Sequence, residues 1–133
     1  MPFDRVDLVS ASYREVPTYI SKSDFGIFFI KPVRSKKASC PTRMGEFLAC
    51  GKPCLANSGV GDVEQILSNS AVGVSVTEFD DETLLGALKE SIKLATSPEI
   101  SKKCVTTAEY IFSLRQGVES YQRIYDSFRH VPS

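Results

Sequence analysis

Short apolar runs alternate with amphipathic segments along this chain, and that alternation is typical of a parallel sheet with covering helices. Residues 25–30 are continuously apolar, which predicts a strand that is covered on both faces. Residues 53–56 and 73–76 predict two further strands, and residues 6–9 predict a short first one. Apolar residues at helical spacing predict helices over residues 15–22, 42–50, 63–68, 82–95, 97–112 and 116–129.

The order of these elements predicts the fold class. Strands alternate with helices up to residue 79, and only helical patterns follow. We therefore expect a single α/β domain, with an α/β core over residues 1–79 and C-terminal helices over residues 80–133. Its sheet is expected to be parallel, Rossmann-like and three- or four-stranded, with helices on both faces.

The helix predicted over residues 42–50 has distinct start and stop signals. Pro41 and Thr42 favour a helix start, because proline lacks the N–H that would be unbonded there and a threonine oxygen can accept a hydrogen bond. Gly51 suits a left-handed cap, and Pro53 prevents the helix from continuing. Since this helix follows the strand at residues 25–30, its free N–H groups are expected beyond the carboxyl edge of the strand, where α/β folds bind phosphates and nucleotides. Glu46 is expected in or near its first turn.

The composition excludes some classes of function. The 133 residues suffice for one domain with a real core, and 42% hydrophobic with 24% charged residues is ordinary for a globular protein. Sixteen basic and sixteen acidic residues cancel, so the charge gives no case for nucleic acid as a partner. No apolar run approaches the roughly 20 residues that span a bilayer, and no signal-peptide pattern opens the chain. A cytoplasmic location is expected.

The four cysteines, Cys40, Cys50, Cys54 and Cys104, do not predict a metal site. The spacing of Cys50 and Cys54 is not the Cys-x2-Cys of zinc ribbons, and the only histidine is His130 near the C-terminal end. We expect reduced thiols, no metal and no cofactor. No Ser-His-Asp or paired-acid arrangement indicates catalytic residues.

Residues 45–53, Gly-Glu-Phe-Leu-Ala-Cys-Gly-Lys-Pro, resemble the "E-A-x-A-x-G-x-P-V" signature of nucleotide-sugar-dependent glycosyltransferases of the two-domain GT-B type, family 4. Other segments resemble the same family in the right order. Residues 16–25 resemble its helix-to-strand passage, and residues 59–66, Gly-Val-Gly-Asp-Val-Glu-Gln-Ile, resemble its glycine turn. Residues 71–76 resemble the strand that follows, and residues 120–125 resemble the closing helix. The ordered set covers nearly the whole chain.

The resemblance implies that the chain is the donor-binding portion, a partial C-terminal domain, of such an enzyme. The family transfers a sugar from a nucleotide diphosphate, here a UDP-, GDP- or ADP-sugar, to a glycan or lipid acceptor, as in polysaccharide biosynthesis. The family's first two strands, its Arg-x4-Lys loop and its N-terminal acceptor domain have no counterpart in the chain. We therefore expect no turnover by this chain alone. We also expect either an open sheet edge available for self-association or a first strand moved beside residues 25–30.

Glu46 is the first candidate site residue. The resemblance implies that its carboxylate accepts hydrogen bonds from the ribose hydroxyls of the donor. A carboxylate that only stabilises the helix start is the alternative. The family has another glutamate eight positions earlier, near the donor sugar, where this chain has Ala38.

Basic and polar residues around the same helix start are candidates for holding the diphosphate. Lys36, Lys37 and Arg43 would neutralise its charge, or would form a solvated basic loop. Ser39 and Thr42, together with the backbone N–H groups of residues 42–44, are candidate phosphate donors.

The glycine turn and the C-terminal tyrosines carry further expectations. Gly59 and Gly61 allow positive φ and a close approach to a ligand, although a simple turn explains the same pair. Glu64 is expected to cap the helix at residues 63–68. Tyr121 and Tyr125 lie four residues apart, on one helix face, and are expected to pack in the core.

Two other functions stay open. A nucleotide-sugar epimerase of the same fold also uses glutamates near its nucleotide, and the residues that distinguish it have no counterpart in this chain. A non-catalytic α/β module of the response-regulator or flavodoxin type predicts an acidic cluster after the first strand or a flavin-binding loop. The sequence has neither of these features.

Overall fold

The computed structural model describes residues 5–37 and 41–129 of the chain. Helices and strands alternate up to β3, and three helices follow it. Their bounds are α1 Val16–Ser21, β1 Gly26–Phe28, a 3-10 helix Arg34–Lys36, α2 Thr42–Ala49, β2 Cys54–Asn57, α3 Val63–Asn69, β3 Gly73–Val76, α4 Asp81–Ala95, α5 Ile100–Ile111 and α6 Leu114–Arg129.

The strands form one parallel sheet in the order β1-β2-β3. Ile27, Leu55 and Val74 are aligned across it, so these three side chains share one face. The predicted α/β class and the parallel sheet are confirmed, and the described residues contain three strands. Each predicted helix is also present, with ends that differ from the prediction by no more than a few residues.

The two faces of the sheet are covered by different helices. Helices α2, α3 and α5 enclose the larger core, which includes the fully buried side chains of Met44, Leu48 and Leu67. Helix α4 packs on the other face against β2 and β3, where Leu55 and Ala87 are buried. The helices α4 and α5, both beyond residue 79, therefore complete the packing of the sheet.

Two predictions about the sheet are wrong. Residues 6–9 form no strand, and Leu8 is 97% exposed, because no strand of the described chain pairs with this segment. The strand β1 is not covered on both faces either, since Ile27 is 50% exposed beside the part of the sheet that α4 covers. The outer edge of β1 carries no strand within the described residues, as the open-edge expectation requires.

Helix α2 ends at the left-handed glycine cap that the sequence predicted. Gly51 has φ +76°, its N–H donates to the Leu48 carbonyl at 2.9 Å, and the Lys52 N–H donates to the Phe47 carbonyl at 2.9 Å. This pair of bonds is a Schellman motif, which closes the helix through a left-handed residue. It fixes the turn into β2 and thereby the position of α2 against the sheet.

The start of α3 differs from the prediction. Asp62 is its N-cap residue, and no side chain makes a capping hydrogen bond there. Glu64 is an exposed residue of the first turn, so the expectation that it caps the helix is wrong. Its carboxylate acts on the helix only through its charge, next to the positive end of the dipole.

The start of α4 yields a pH-dependent prediction. Asp80 accepts from the Thr83 N–H at 2.9 Å and from the Thr83 hydroxyl at 2.6 Å, and these bonds hold the pKa of the Asp80 carboxyl below its ordinary value. Asp80→Ala should lower the melting temperature at neutral pH. Because the folded-state pKa is depressed, the advantage of the wild type is full above the ordinary aspartate pKa of about 3.9 and is lost as the pH falls through the depressed value. Thermal unfolding of both proteins across that range measures the difference.

Asp81→Ala is the matched control for this prediction. It removes an adjacent carboxylate from the same first turn, but Asp81 is not the N-cap residue. An equal loss in both variants would show that helix charge, and not the cap of Asp80, stabilises α4.

The last helix, α6, contrasts with the rest of the fold. None of its residues is buried, and Tyr121 and Tyr125 are 68% and 66% exposed. The expectation that these tyrosines pack in the core is therefore wrong, because no element of the described chain lies against their side of α6. Among the described residues, no helix combines the length and apolarity needed to cross a bilayer.

Candidate functional site

The amino end of α2 has unbonded backbone donors. Pro41 is the N-cap residue and Thr42 is the first helical residue, so the Thr42 side chain makes no capping bond. The N–H groups of Thr42 and Arg43 donate to no group among the described residues, whereas the Met44 N–H donates to the Pro41 carbonyl at 3.0 Å. The expected set of three donors is thus reduced to two. Two free N–H groups at the positive end of a helix can bind an anion.

Glu46 lies just beyond the first turn of α2, near it as the sequence predicted. Its Oε2 atom is 2.7 Å from Nη1 of Arg43, and the two side chains are 28% and 52% exposed. Oε2 is buried and accepts no hydrogen bond of good geometry among the described residues. The ion pair with Arg43 therefore offsets the cost of burying this charged oxygen. The Glu46 carboxylate therefore keeps unused capacity to accept hydrogen bonds.

Glu46 and Thr42 line a surface groove of about 630 Å³ between α2 and α5. Glu109 and Phe112 line it from the α5 side, and Tyr13 lines it from the segment before α1. The groove combines apolar walls, two carboxylates and two aromatic rings, and it is also lined by Thr42, whose N–H has no acceptor among the described residues. The residues from α5 were not among the predicted site residues, because a helix distant in sequence carries no local signal of what it faces.

Gly59 and Gly61 lie on a different part of the surface. Both have positive φ, +80° and +47°, as the sequence predicted, and neither lines the groove. A Cβ atom added to Gly59 would lie 3.3 Å from Cβ of Pro32, so the turn after β2 closely approaches the loop after β1. The structure brings these two loops together, but it does not bring the glycines to Glu46.

Asn57, at the end of β2, holds the loop that leaves β1. Its side chain is buried and accepts from the Ile30 N–H at 2.7 Å, while its Nδ2 donates to the Ile30 carbonyl at 2.8 Å. The amide thereby replaces one more residue of the strand ladder between β1 and β2. An asparagine that ends an apolar strand was a usable signal in the sequence, and the sequence analysis did not use it.

The basic residues predicted to hold the diphosphate differ in their surroundings. Lys36 belongs to the 3-10 helix, Lys37 follows it, and both are exposed. Arg43 is occupied by Glu46, so an anion at the helix start would share this guanidinium. Ala38 and Ser39 lie outside the described residues.

The thiols of the larger core are buried and unreactive. Burial raises the pKa of Cys104 to about 11 and raises that of Cys54 further, so both stay protonated near neutral pH. Cys50, Cys54 and Cys104 are free, and Cys40 lies outside the described residues. The described residues contain no cluster of three or more acidic, histidine or cysteine side chains that could hold a metal ion.

In comparisons with known proteins, no family model, curated protein or solved structure matches the chain. The groove must therefore be interpreted from its own chemistry. Free N–H groups favour an anion, an incompletely used carboxylate favours hydroxyl donors, and apolar and aromatic walls favour a planar ring. A ligand that combines these three parts suits the groove best.

Proposed function

We propose that this chain is the donor-binding portion of a glycosyltransferase that uses a UDP-, GDP- or ADP-sugar. The observation that carries the proposal is the spacing along α2, where two N–H groups without an acceptor among the described residues precede a partly buried carboxylate by one helical turn. Residues four apart on a helix have Cβ atoms about 5–6 Å apart. That separation suits a nucleotide whose diphosphate meets the helix start while its ribose hydroxyls meet Glu46.

The remaining parts of the groove suit the base and the diphosphate. A base would lie against the apolar wall at Phe112 and Tyr13, since aromatic rings favour offset stacking. Arg43 would move from Glu46 towards the phosphates, because phosphate oxygens bind a guanidinium in the same bidentate way as a carboxylate does. In this proposal the domain is a Rossmann-like, partial GT-B C-terminal domain.

Sugar transfer itself would require more than this chain. In the proposed enzyme, an acceptor-binding domain closes over the donor, positions the acceptor and excludes water. This chain supplies the donor site, and no described group is placed to act as a catalytic acid or base on the sugar. The chain alone is expected to bind a nucleotide without turnover.

The test of the proposal is nucleotide binding by the chain as it stands. Ligand-observed NMR with UDP, GDP and ADP, followed by calorimetric titration of the best of them, measures it directly. We expect saturable binding of at least one nucleoside diphosphate and weaker binding of the matching nucleoside, because the nucleoside lacks the group that the helix start holds. The absence of binding by all three nucleotides would refute the proposal.

Glu46→Ala should weaken the binding of the preferred nucleotide by on the order of 1–3 kcal/mol, or roughly five-fold to 150-fold, if both ribose hydroxyls are held. The physical reason is the loss of two hydrogen bonds to a charged acceptor. Calorimetric titration of the variant and the wild type gives the ratio of dissociation constants. Far-ultraviolet circular dichroism checks that α2 remains folded.

Glu109→Ala is the matched control for Glu46→Ala. It removes one carboxylate from the same groove and has the same effect on the charge, but Glu109 lies on the α5 side. An unchanged affinity in Glu46→Ala, or an equal change in both variants, would contradict the ribose role of Glu46.

A further inference from the structure

Helix α6 carries an apolar stripe that nothing in the described chain covers. The stripe occupies an arc of about 120° on the helix, at 3.6 residues per turn, and no charged residue falls within that arc. Each of its side chains is more than half exposed. The stripe consists of Leu114, Val118, Tyr121, Ile124, Tyr125 and Phe128.

A second uncovered apolar surface lies beside α4 over β1. Ile27 shares a face with Leu55 and Val74, which α4 covers, yet Ile27 itself is 50% exposed. Phe29 continues β1 on the same face, and its ring contacts that of Phe79 edge-on, with the ring centres 5.2 Å apart. These side chains form the floor and one end of a slot.

One flank of α4 forms the wall of this slot. Glu90 and Leu94 face the outer edge of β3, where they line a pocket with Gly73 and Ser75. At 100° per residue, the flank opposite to Glu90 and Leu94 is the one turned towards β1. That flank carries Leu85, Leu88 and Ile92, which are 53%, 37% and 55% exposed.

The slot has the apolar character of a binding site for one helix. In a parallel α/β sheet each face is normally covered by helices, and in the described part of the chain no helix covers the strip over β1. The slot, defined as Ile27, Phe29, Phe79, Leu85, Leu88 and Ile92, runs along α4, which is about 22 Å long at 1.5 Å per residue. Helix α6, with 16 residues, is about 24 Å long.

We propose that the α6 stripe of one copy of this chain lies in the slot of a second copy, and that the exchange is reciprocal. Within one chain, α6 follows α5 after two residues, and α5 packs on the opposite face of the sheet. The stripe and the slot of the same chain are accordingly both left open. A second copy supplies each of them with the surface that it lacks.

The area that this exchange buries fits a stable dimer. An aromatic side chain buries about 150–250 Å² when it is fully covered, and three aromatics of each stripe are 66–69% exposed. Two reciprocal contacts bury six such rings, the aliphatic residues between them and an equal area of slot. The total reaches the roughly 1,200–2,000 Å² of a specific interface. Because the exchange is reciprocal, it closes as a two-fold dimer and leaves no free stripe for further growth.

The oligomeric state of the 133-residue chain tests the proposal. Light scattering coupled to size exclusion, at tens of micromolar protein, should give twice the mass of the chain. Tyr125→Glu in the stripe and Leu85→Glu in the slot should each give a monomer with an unchanged helical circular dichroism spectrum. Both residues are exposed in the single chain, so folding should tolerate either change.

Matched controls place the same negative charge on the same helices outside the contact. Gln116→Glu on α6 and Gly86→Glu on α4 change exposed residues that lie neither three nor four positions from any residue of the stripe or the slot, and both variants should stay dimeric. Mixing the Tyr125→Glu and Leu85→Glu chains should restore a dimer, because one of the two contacts is intact in the mixed pair.

Three outcomes would overturn the proposal. A monomeric wild type shows that the stripe is not covered by a second copy. If Leu85→Glu leaves the dimer intact while Tyr125→Glu dissociates it, the two α6 helices pair with each other and not with the slot. Failure of the two variants to restore a dimer on mixing excludes the reciprocal exchange. Nucleotide titration of the monomeric variants keeps this result separate from the donor-site proposal.

Discussion

Gly73→Ala should destabilise the fold by roughly 3 kcal/mol or more, which is a large part of the total for a domain of this size. A Cβ atom at this position would overlap the carbonyl oxygen of Cys54 and would lie 2.6 Å from Cδ2 of Leu67. The first obstacle is backbone of the neighbouring strand, which cannot move without breaking the pairing of β2 with β3. Urea unfolding followed by circular dichroism measures the loss.

Gly86→Ala is the control for this prediction. It makes the same substitution, but an added Cβ at Gly86 meets no atom within 4 Å. Since Gly86 lies inside α4, alanine should stabilise the helix there by up to about 1 kcal/mol. A small loss in Gly73→Ala would show that β2 and β3 separate easily, contrary to close packing between these strands.

Asn57→Ala should cost about 2–4 kcal/mol, because it leaves two backbone groups of Ile30 without their partner. The change should also release the loop after β1. Hydrogen exchange gives the specific readout, since the Ile30 amide, held at 2.7 Å from Oδ1 of Asn57, should lose its protection. Urea unfolding gives the free-energy difference.

Asn69→Ala removes an exposed asparagine at the end of α3 and serves as the control. Its effect on stability should stay within about 0.5 kcal/mol, as for most surface substitutions. If Asn57→Ala destabilises the fold while the Ile30 amide keeps its protection, the loss comes from another contact of Asn57, such as the 3.1 Å bond to the Ser58 carbonyl.

The placement of this loop connects stability to the proposed site. The loop that Asn57 holds at Ile30 continues through the 3-10 helix towards the amino end of α2. This loop carries Lys36 and Lys37, which the donor-site proposal assigns to the diphosphate. In the donor-site proposal, Asn57→Ala would weaken nucleotide binding in addition to stability.

Local chemistry made much of the secondary structure predictable. Gly51, with Pro53 two residues later, marked the end of α2. The adjacent Asp80 and Asp81 marked the start of α4 without deciding between them, and Asp80 is the N-cap residue. These signals act within one helical turn, so the sequence alone carries them. The apolar runs that predicted β2 and β3 are buried, as that pattern requires.

The candidate site was predictable only in its α2 part. The position of Thr42 and Glu46 on one helix follows from their spacing, but the ion pair with Arg43 depends on side-chain rotamers. The groove that these residues line needs Glu109 and Phe112, which are more than 60 residues away along the chain. Gly59 and Gly61 have the predicted backbone, yet they lie elsewhere on the surface.

The sequence by itself determined the helices and three of the four predicted strands, because propensities, caps and apolar periodicity act over a few residues. Only the tertiary structure decided which apolar faces are covered. Residues 6–9 carry a strand pattern but pair with no described strand, and Ile27 lies in an apolar run but outside the area that α4 covers. Tyr121 and Tyr125 have core-like spacing on a helix that no described element covers. The physical reason is that an apolar surface is buried only when a second surface packs against it. The pattern of a segment shows which face it can bury, but it does not show whether another element packs there.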